Sequence, residues 1–234
     1  MIFWNGKSSD DLNVFVEHFP NQPKPTKKHK KTSVPGKNGD LIFEEDAFEN
    51  YIQPYGVYIS AKESKLPAIA NKVAEWLFSA KGYQKLEDSY DPDVFRLAYF
   101  SGPLDVENII NKFGRATINF DCKPQRFLVS GETETTYRSA TTIKNPTAFT
   151  ALPHIKVNGS GAGALNIAGT VVNFLSIDGS IELDCETQNA FKGTTNLNNT
   201  ISAPEFPKLF AGNNEISWSG GIQSVTIKPR WWTL

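Results

Sequence analysis

Residue types able to do chemistry are sparse and scattered along this 234-residue chain. Gly159-Ser160-Gly161-Ala162-Gly163-Ala164 has the spacing of a dinucleotide fingerprint, whose glycines let a pyrophosphate approach the backbone at a helix N-terminus. That mechanism requires a helix to follow. Leu165-Asn166-Ile167 and Thr170-Val171-Val172 are strand residues instead, so the stretch reads as a hairpin turn. His18, His29 and His154 share no ligand spacing with one another or with Cys122 and Cys185, and no metal site is expected. Asp91 and Asp93 flank a proline, and Glu44, Glu45 and Asp46 cluster. Acid–base work needs paired carboxylates in a shared pocket; turn chemistry and solvation explain both groups. No Gly-x-Ser-x-Gly elbow is present. The residues point to no catalytic function and to no cofactor.

One charged stretch stands apart. Lys24, Lys27, Lys28, Lys30 and Lys31 fall in a segment with no acid between Glu17 and Asp40, and the segment ends in Val34-Pro35-Gly36-Lys37-Asn38-Gly39-Asp40-Leu41. Proline presets φ near −65°, while glycine and asparagine accept the positive φ of tight reversals. The stretch reads as the tip of a hairpin arm with a basic edge. Three readings stand for it: a solvated loop, a protein-interface arm, or a nucleic-acid contact. The last lacks the interleaved aromatic residues on which bases stack. The inter-subunit arm, if that is its role, comprises Lys24, Lys27, Lys28, Lys30, Lys31, Pro35, Gly36, Lys37, Asn38 and Gly39.

The elements that would position this arm are mostly strands. Ile2 to Trp4 and Leu12 to Val16 alternate, Leu41 to Phe43 and Tyr51 to Gln53 run apolar, and Gly56 to Ser60 is the clearest strand of the first half. Leu66, Ile69, Ala70, Val73, Trp76 and Leu77 recur at helical spacing, with Ser64 placed to cap the helix and Gly82 to end it. Val94 to Phe100 and Arg115 to Phe120 follow as strands; Val106 to Phe113 fits helical spacing but reads better as strand and loop. Ser130 to Asn145 is polar enough for a linker or an exposed hairpin. Beyond it come short strands: His154–Val157, Ala164–Ile167, Thr170–Ile177, Ser180–Cys185, Glu215–Trp218 and Gln223–Lys228. Their alternation and turns suggest an antiparallel sandwich. Of the adjacent Trp231 and Trp232, at least one is expected to be buried or at an interface.

Composition sets the outer bounds. A net charge of −1 argues against a global electrostatic partner such as bulk nucleic acid, and 39% hydrophobic residues suffice for real cores. Two distant cysteines make no disulfide framework. No signal peptide and no run of about 18 apolar residues is found, so synthesis in a cytoplasm without membrane insertion is expected.

Taken in order, these signatures resemble the distal tail protein family of long-tailed (siphovirus-type) phages and prophages of Gram-positive bacteria. The Lys/Pro-rich arm into Val34–Asp40 matches the family's Pro-Gly-Arg-Asp/Asn-Gly turn, with Lys37 in place of arginine. The helix around Trp76-Leu77, Leu86 to Asp93 leading to Phe95-Arg96-Leu97-Ala98, and Thr117 to Pro124 follow. Asn145-Pro146-Thr147, Phe206-Pro207-Lys208-Leu209 before Gly212-Asn213-Asn214, and Pro229-Arg230-Trp231-Trp232 complete the series. No piece is specific alone; their order over nearly the whole chain carries the match.

The resemblance implies a mainly β, structural, non-enzymatic virion protein at the distal end of the tail. Residues 1–128 would be a ring-forming β-sandwich-like domain with one α-helix and an extended β-hairpin arm. Residues 129–234, including a linker at 129–145, would be a galectin-like antiparallel β-sandwich. It further implies a homo-hexameric ring, the hub of the tail tip or baseplate, joining the major tail tube protein to a tail-associated (fibre or lysin) protein. Tape-measure and receptor-binding proteins are further neighbours, and DNA only transits the channel. The main rival is a carbohydrate-binding module contacting cell-wall saccharide, which would leave the terminal tryptophan rings exposed in a groove.

Overall fold

The computed structural model describes residues 1–61, 65–110 and 112–234. The chain divides into two compact units, 1–126 with Leu234, and 127–233. The fold is mainly antiparallel β with a single α-helix among the described residues and an extended hairpin, as the sequence suggests.

In the first unit one curled sheet has the order Lys7–Ser8, Ile2–Trp4, Gln84–Asp88, Val94–Tyr99, Phe113–Leu128, Tyr51–Ser60, Val14–Val16. Period-two burial decides which face is inside. Tyr51, Gln53, Tyr55, Val57 and Ile59 are buried on one strand, facing the same core as Ala116, Ile118, Phe120 and Cys122 on its neighbour. The helix Leu66–Phe78 closes this core with Leu66, Ile69, Val73, Trp76 and Leu77, and the Trp76 indole donates to the Trp4 carbonyl at 3.0 Å. Phe120 is the centre of an aromatic cluster, with ring centroids 4.8 Å from Trp4, 6.0 Å from Tyr55 and 5.8 Å from Phe100.

Two expectations for the helix need correction. Ser64 lies outside the described residues; Lys65 precedes the helix without a side-chain cap, and Pro67 supplies the preset first turn. Its other end is Ser79, not Gly82: the Ser79 N–H donates to Glu75 O, its hydroxyl to Trp76 O at 2.9 Å. Gly82 sits beyond, in the connection to the next strand. Val106–Phe113 contains the strand Glu107–Ile110, which agrees with the strand reading.

The Asp88–Asp93 turn is fixed from beneath. Asp88 Oδ1 accepts the N–H groups of Tyr90 and Asp91, both at 3.0 Å, while Oδ2 accepts Tyr55 Oη at 2.7 Å and Arg96 at 3.1 Å. Asp91 pairs with Arg126. The side chains of Asp88 and Arg96 are each only 2% exposed, and burial pushes the Tyr55 hydroxyl far above its usual pKa. Asp91 and Asp93 therefore belong to a structural turn, as their flanking of a proline suggested.

In the second unit one sheet curls around its own core, in the order Thr135–Tyr137, Gly212–Lys228, His154–Ile167, Thr170–Asp184, Asn189–Lys192, Thr195–Asn196. The expected short strands are three long ones. His154–Val157 and Ala164–Ile167 are the ends of one strand, and likewise for the other two pairs. Gly159 to Ala164 is consequently not a hairpin turn but a bulged corner within a strand. Gly159 pairs with Gly179 on one side and Ile222 on the other, so the bend crosses three neighbouring strands. A Cβ on Gly221 would overlap the Ser160 carbonyl, and one on Gly163 would come within 2.9 Å of Ser219 O. Bent here, the strands bring Ile155 and Val157 into the same core as Leu165 and Ile167. Ser130–Asn145 is not a free linker either: Thr135–Tyr137 and Thr141–Asn145 both pair with Gly212–Lys228 as a split sheet edge.

Asp88→Ala is expected to destabilise the protein by about 3–5 kcal/mol, because it strands a buried guanidinium. Asp93→Ala is expected to stay within about 0.5 kcal/mol of the parent. Urea denaturation followed by tryptophan fluorescence checks both; a mild effect at Asp88 would refute the anchoring role.

Candidate functional site: the hairpin arm

Among the described residues, Lys27–Ser33 and Asp40–Phe48 pair only with each other. The turn between them follows from its sequence: Lys37 N–H donates to Val34 O at 3.1 Å across Pro35 and Gly36, and Gly36 has φ +78°. Proline first and a positive-φ glycine second is the type II signature. Asn38 leads to Gly39, at φ +84°, and the return strand begins. Lys37, Asn38 and Gly39 are exposed. At the base, Glu49 N–H donates to Thr26 O at 2.9 Å, so the two ends of the ribbon lie side by side.

All seven residues of the first arm strand are exposed, including Lys27, Lys28, Lys30 and Lys31. Lys24 lies before the ribbon, where burial and the nearby Arg126 and Arg96 lower its pKa. The return strand holds Asp40, Glu44, Glu45 and Asp46 and no cation. One ion pair, Lys27 with Glu44, ties the strands; it raises the lysine pKa and lowers that of the glutamate.

The residues that sequence reasoning missed are Leu41, Ile42 and Phe43, which are 51%, 54% and 53% exposed. Across the ladder Leu41 faces Thr32, Ile42 faces Lys31 and Phe43 faces Lys30. With one threonine and two lysines as cross-strand neighbours, these apolar side chains find little to bury against within the ribbon. The signal for it in the sequence is the hairpin register, which sets Lys30 and Lys31 opposite Phe43 and Ile42. Side chains alternate along a strand, so Leu41 and Phe43 lie on one face of the ribbon and Ile42 on the other, each about half exposed.

The remaining candidates do not form a site. No group of His, Cys, Asp and Glu able to hold a metal occurs among the described residues. Cys122 and Cys185 are buried and free, and burial pushes each thiol up to about 12. Such thiols are unreactive. Trp231 is buried in the core of the second unit. The Trp232 ring is half-buried, stacks on Phe149 at 4.4 Å and donates to Thr150 O at 2.9 Å.

The signature turns prove to be loop pins. Asn145 donates to Phe149 O at 2.8 Å and accepts from Thr147 N–H at 2.9 Å. Asn214 exchanges hydrogen bonds with both the N–H and the carbonyl of Phe210. Gly131 O accepts the Arg230 N–H at 2.9 Å, and a Cβ at Gly131 would overlap the Trp231 nitrogen. Arg230 in turn forks onto both Asp184 oxygens, at 2.8 and 3.3 Å.

Residues 6–122 match the family model described as phage tail protein RIFT-related domain, half of the chain and the part that carries the arm. The chain belongs to this phage tail family. Among solved structures, the Dit protein of phage SPP1 matches with a TM-score of 0.77, covering 97% of this chain and 96% of that one at 12% identity. At that identity the likeness is one of fold, and it extends over both units. The SPP1 protein is described as a paradigm of the hub adsorption apparatus in phages that infect Gram-positive bacteria. No curated protein matches the sequence. Phage tail RIFT-related membership and the Dit-like fold agree with the resemblance drawn from the ordered turns.

The clamp on the Pro229–Trp232 end generates a pH prediction. Burial opposes the charge on Asp184, but the Arg230 fork and the N–H groups of Thr187 and Glu186 outweigh it, leaving the pKa below its usual value. A carboxylate with a depressed folded pKa stabilises above the unfolded value, about 3.9, and loses that contribution as pH falls through the folded pKa. Parent stability should therefore drop below about pH 4 more steeply than that of Asp184→Asn. Parallel acid limbs in thermal melts would refute the clamp.

Proposed function

We propose that this protein is a structural hub at the distal end of a phage tail, in which six copies close head to tail into a ring. The observation that carries the reading is the arm: a ribbon without a core, apolar and charged on its surface, built into a fold that matches a tail hub protein over its full length. In this reading residues 1–128 make the ring and its channel, and residues 129–234 form the galectin-like outer domain. One ring face meets the major tail tube protein and the other a tail-associated fibre or lysin protein, with tape-measure and receptor-binding proteins nearby. DNA transits the channel unread, which suits a net charge of −1. The virion is the site of action, and the protein has no catalytic role of its own.

Lys27, Lys28, Lys30 and Lys31, with the Pro35, Gly36, Lys37, Asn38 and Gly39 tip, act here as an inter-subunit clasp; Lys24 anchors its approach. A ring of head-to-tail contacts requires two different complementary patches on each copy. A saccharide-binding role finds less support, because Trp231 is buried and Trp232 already stacks on Phe149.

Light scattering and native mass spectrometry of the full chain at increasing concentration are expected to show a species six times the protomer mass. Because the arm's ends are hydrogen-bonded neighbours, residues 27–48 can be replaced by a short Gly-Gly turn. The excised protein is expected to melt as the parent does and to remain monomeric. A stable dimer with affinity for cell-wall saccharide would refute the ring.

A further inference from the structure

The two edges of the arm differ in a way that a clasp as such does not require. The outer edge of Lys27–Ser33 is cationic, with four lysines and His29 among seven residues and no acid. The outer edge of Asp40–Phe48 is anionic, with Asp40, Glu44, Glu45 and Asp46 and no cation. Among the described residues, neither outer edge pairs with another strand. The outer edges of Lys27–Ser33 and of residues 40–47 therefore keep backbone N–H and C=O groups that the ribbon's own ladder does not use, the template on which a further strand is added.

Building on the ring reading, we propose that the arm's partner is the arm of a second copy of this chain, the cationic edge of one pairing with the anionic edge of the next to continue the sheet. Charge sets the choice of partner. Cationic against cationic, or anionic against anionic, is the pairing a two-fold axis would make, and like charges on adjacent strands repel. Cationic against anionic attracts, and it is heterologous, so each copy retains one free edge of each sign for its two neighbours. Strand direction is consistent with this. Arms that lie along the rotation axis all point the same way, so the incoming strand of one copy then runs antiparallel to the return strand of the next. The ladder that already joins Lys30 to Phe43 and Lys31 to Ile42 within one arm thus continues between copies without reversal. Leu41, Ile42 and Phe43 then sit in the interior of a wider sheet instead of at a lone ribbon's margin.

The test uses two full-length variants. Lys28→Glu/Lys30→Glu/Lys31→Glu makes both edges anionic, and Glu44→Lys/Glu45→Lys/Asp46→Lys makes both cationic. Each alone is expected to melt as the parent does but to assemble at least tenfold more weakly at low ionic strength. An equimolar mixture is expected to restore an even-membered ring in which the variants alternate, visible in native mass spectrometry as equal numbers of each mass. Parent-like assembly of either variant alone, or a mixture that fails to assemble although both variants melt normally, would overturn the arm-to-arm seam while leaving the ring in place. A parent that forms no ring under these conditions would overturn the ring reading itself. If a triple variant melts abnormally, the pair Lys30→Glu and Glu45→Lys replaces it, judged by the same outcomes.

Discussion

A two-stranded ribbon satisfies backbone groups along one edge of each strand and encloses nothing between its faces, so it draws little stability from its own packing. The hairpin at residues 27–48 is such a ribbon, and its composition removes the remaining local support. Lysines stand opposite Ile42 and Phe43, and every residue of the first strand lies in water. Both edges keep hydrogen-bonding capacity and opposite charge. The arm belongs to the first unit, whose core lies elsewhere in that unit, and in the proposed reading the surface that completes it comes from outside the chain.

The two cores meet the same requirement by different means. Each encloses its apolar side chains with one curled sheet. In the first unit the helix supplies the opposing layer, and the cost of burying Arg96 is offset by Asp88, which also shapes the turn above it. In the second unit no helix covers the sheet; strands bend across a line of glycines where neighbouring backbones approach too closely for any Cβ. Each unit thus has a hydrophobic core of its own. An arm substitution should therefore alter association without altering melting, which is what makes the arm experimentally separable.

Local patterns in the sequence identified what local physics controls. The helix was legible because Leu66, Ile69, Val73, Trp76 and Leu77 share one face, and the tip because Pro35-Gly36 has only one comfortable turn. The fold class was legible from alternation. What escaped was decided by cross-strand neighbours. Gly159 to Ala164 has the composition of a reversal, and only the approach of Gly220 and Gly221 from a distant strand shows that the chain bends here without turning back. Leu41, Ile42 and Phe43 run apolar in sequence, and only the register shows that they stand opposite Thr32, Lys31 and Lys30. The Arg126 anchor of Asp91 and the Gly131 seat of Trp231 join residues far apart in sequence. The order of turn motifs could nonetheless be recognised, because residues such as Asn145 and Asn214 pin loops through hydrogen bonds that no other side chain of that size makes.

Completion of the arm by a neighbouring copy, as proposed, is read directly by amide hydrogen exchange. In dilute protein the backbone amides of residues 27–48 should exchange nearly freely. At concentrations where the ring forms, the amides on the outer edges of both strands should gain protection of at least tenfold, while those of the Phe113–Leu128 strand stay unchanged. Equal exchange of the arm at both concentrations, with assembly confirmed by mass, would contradict the account.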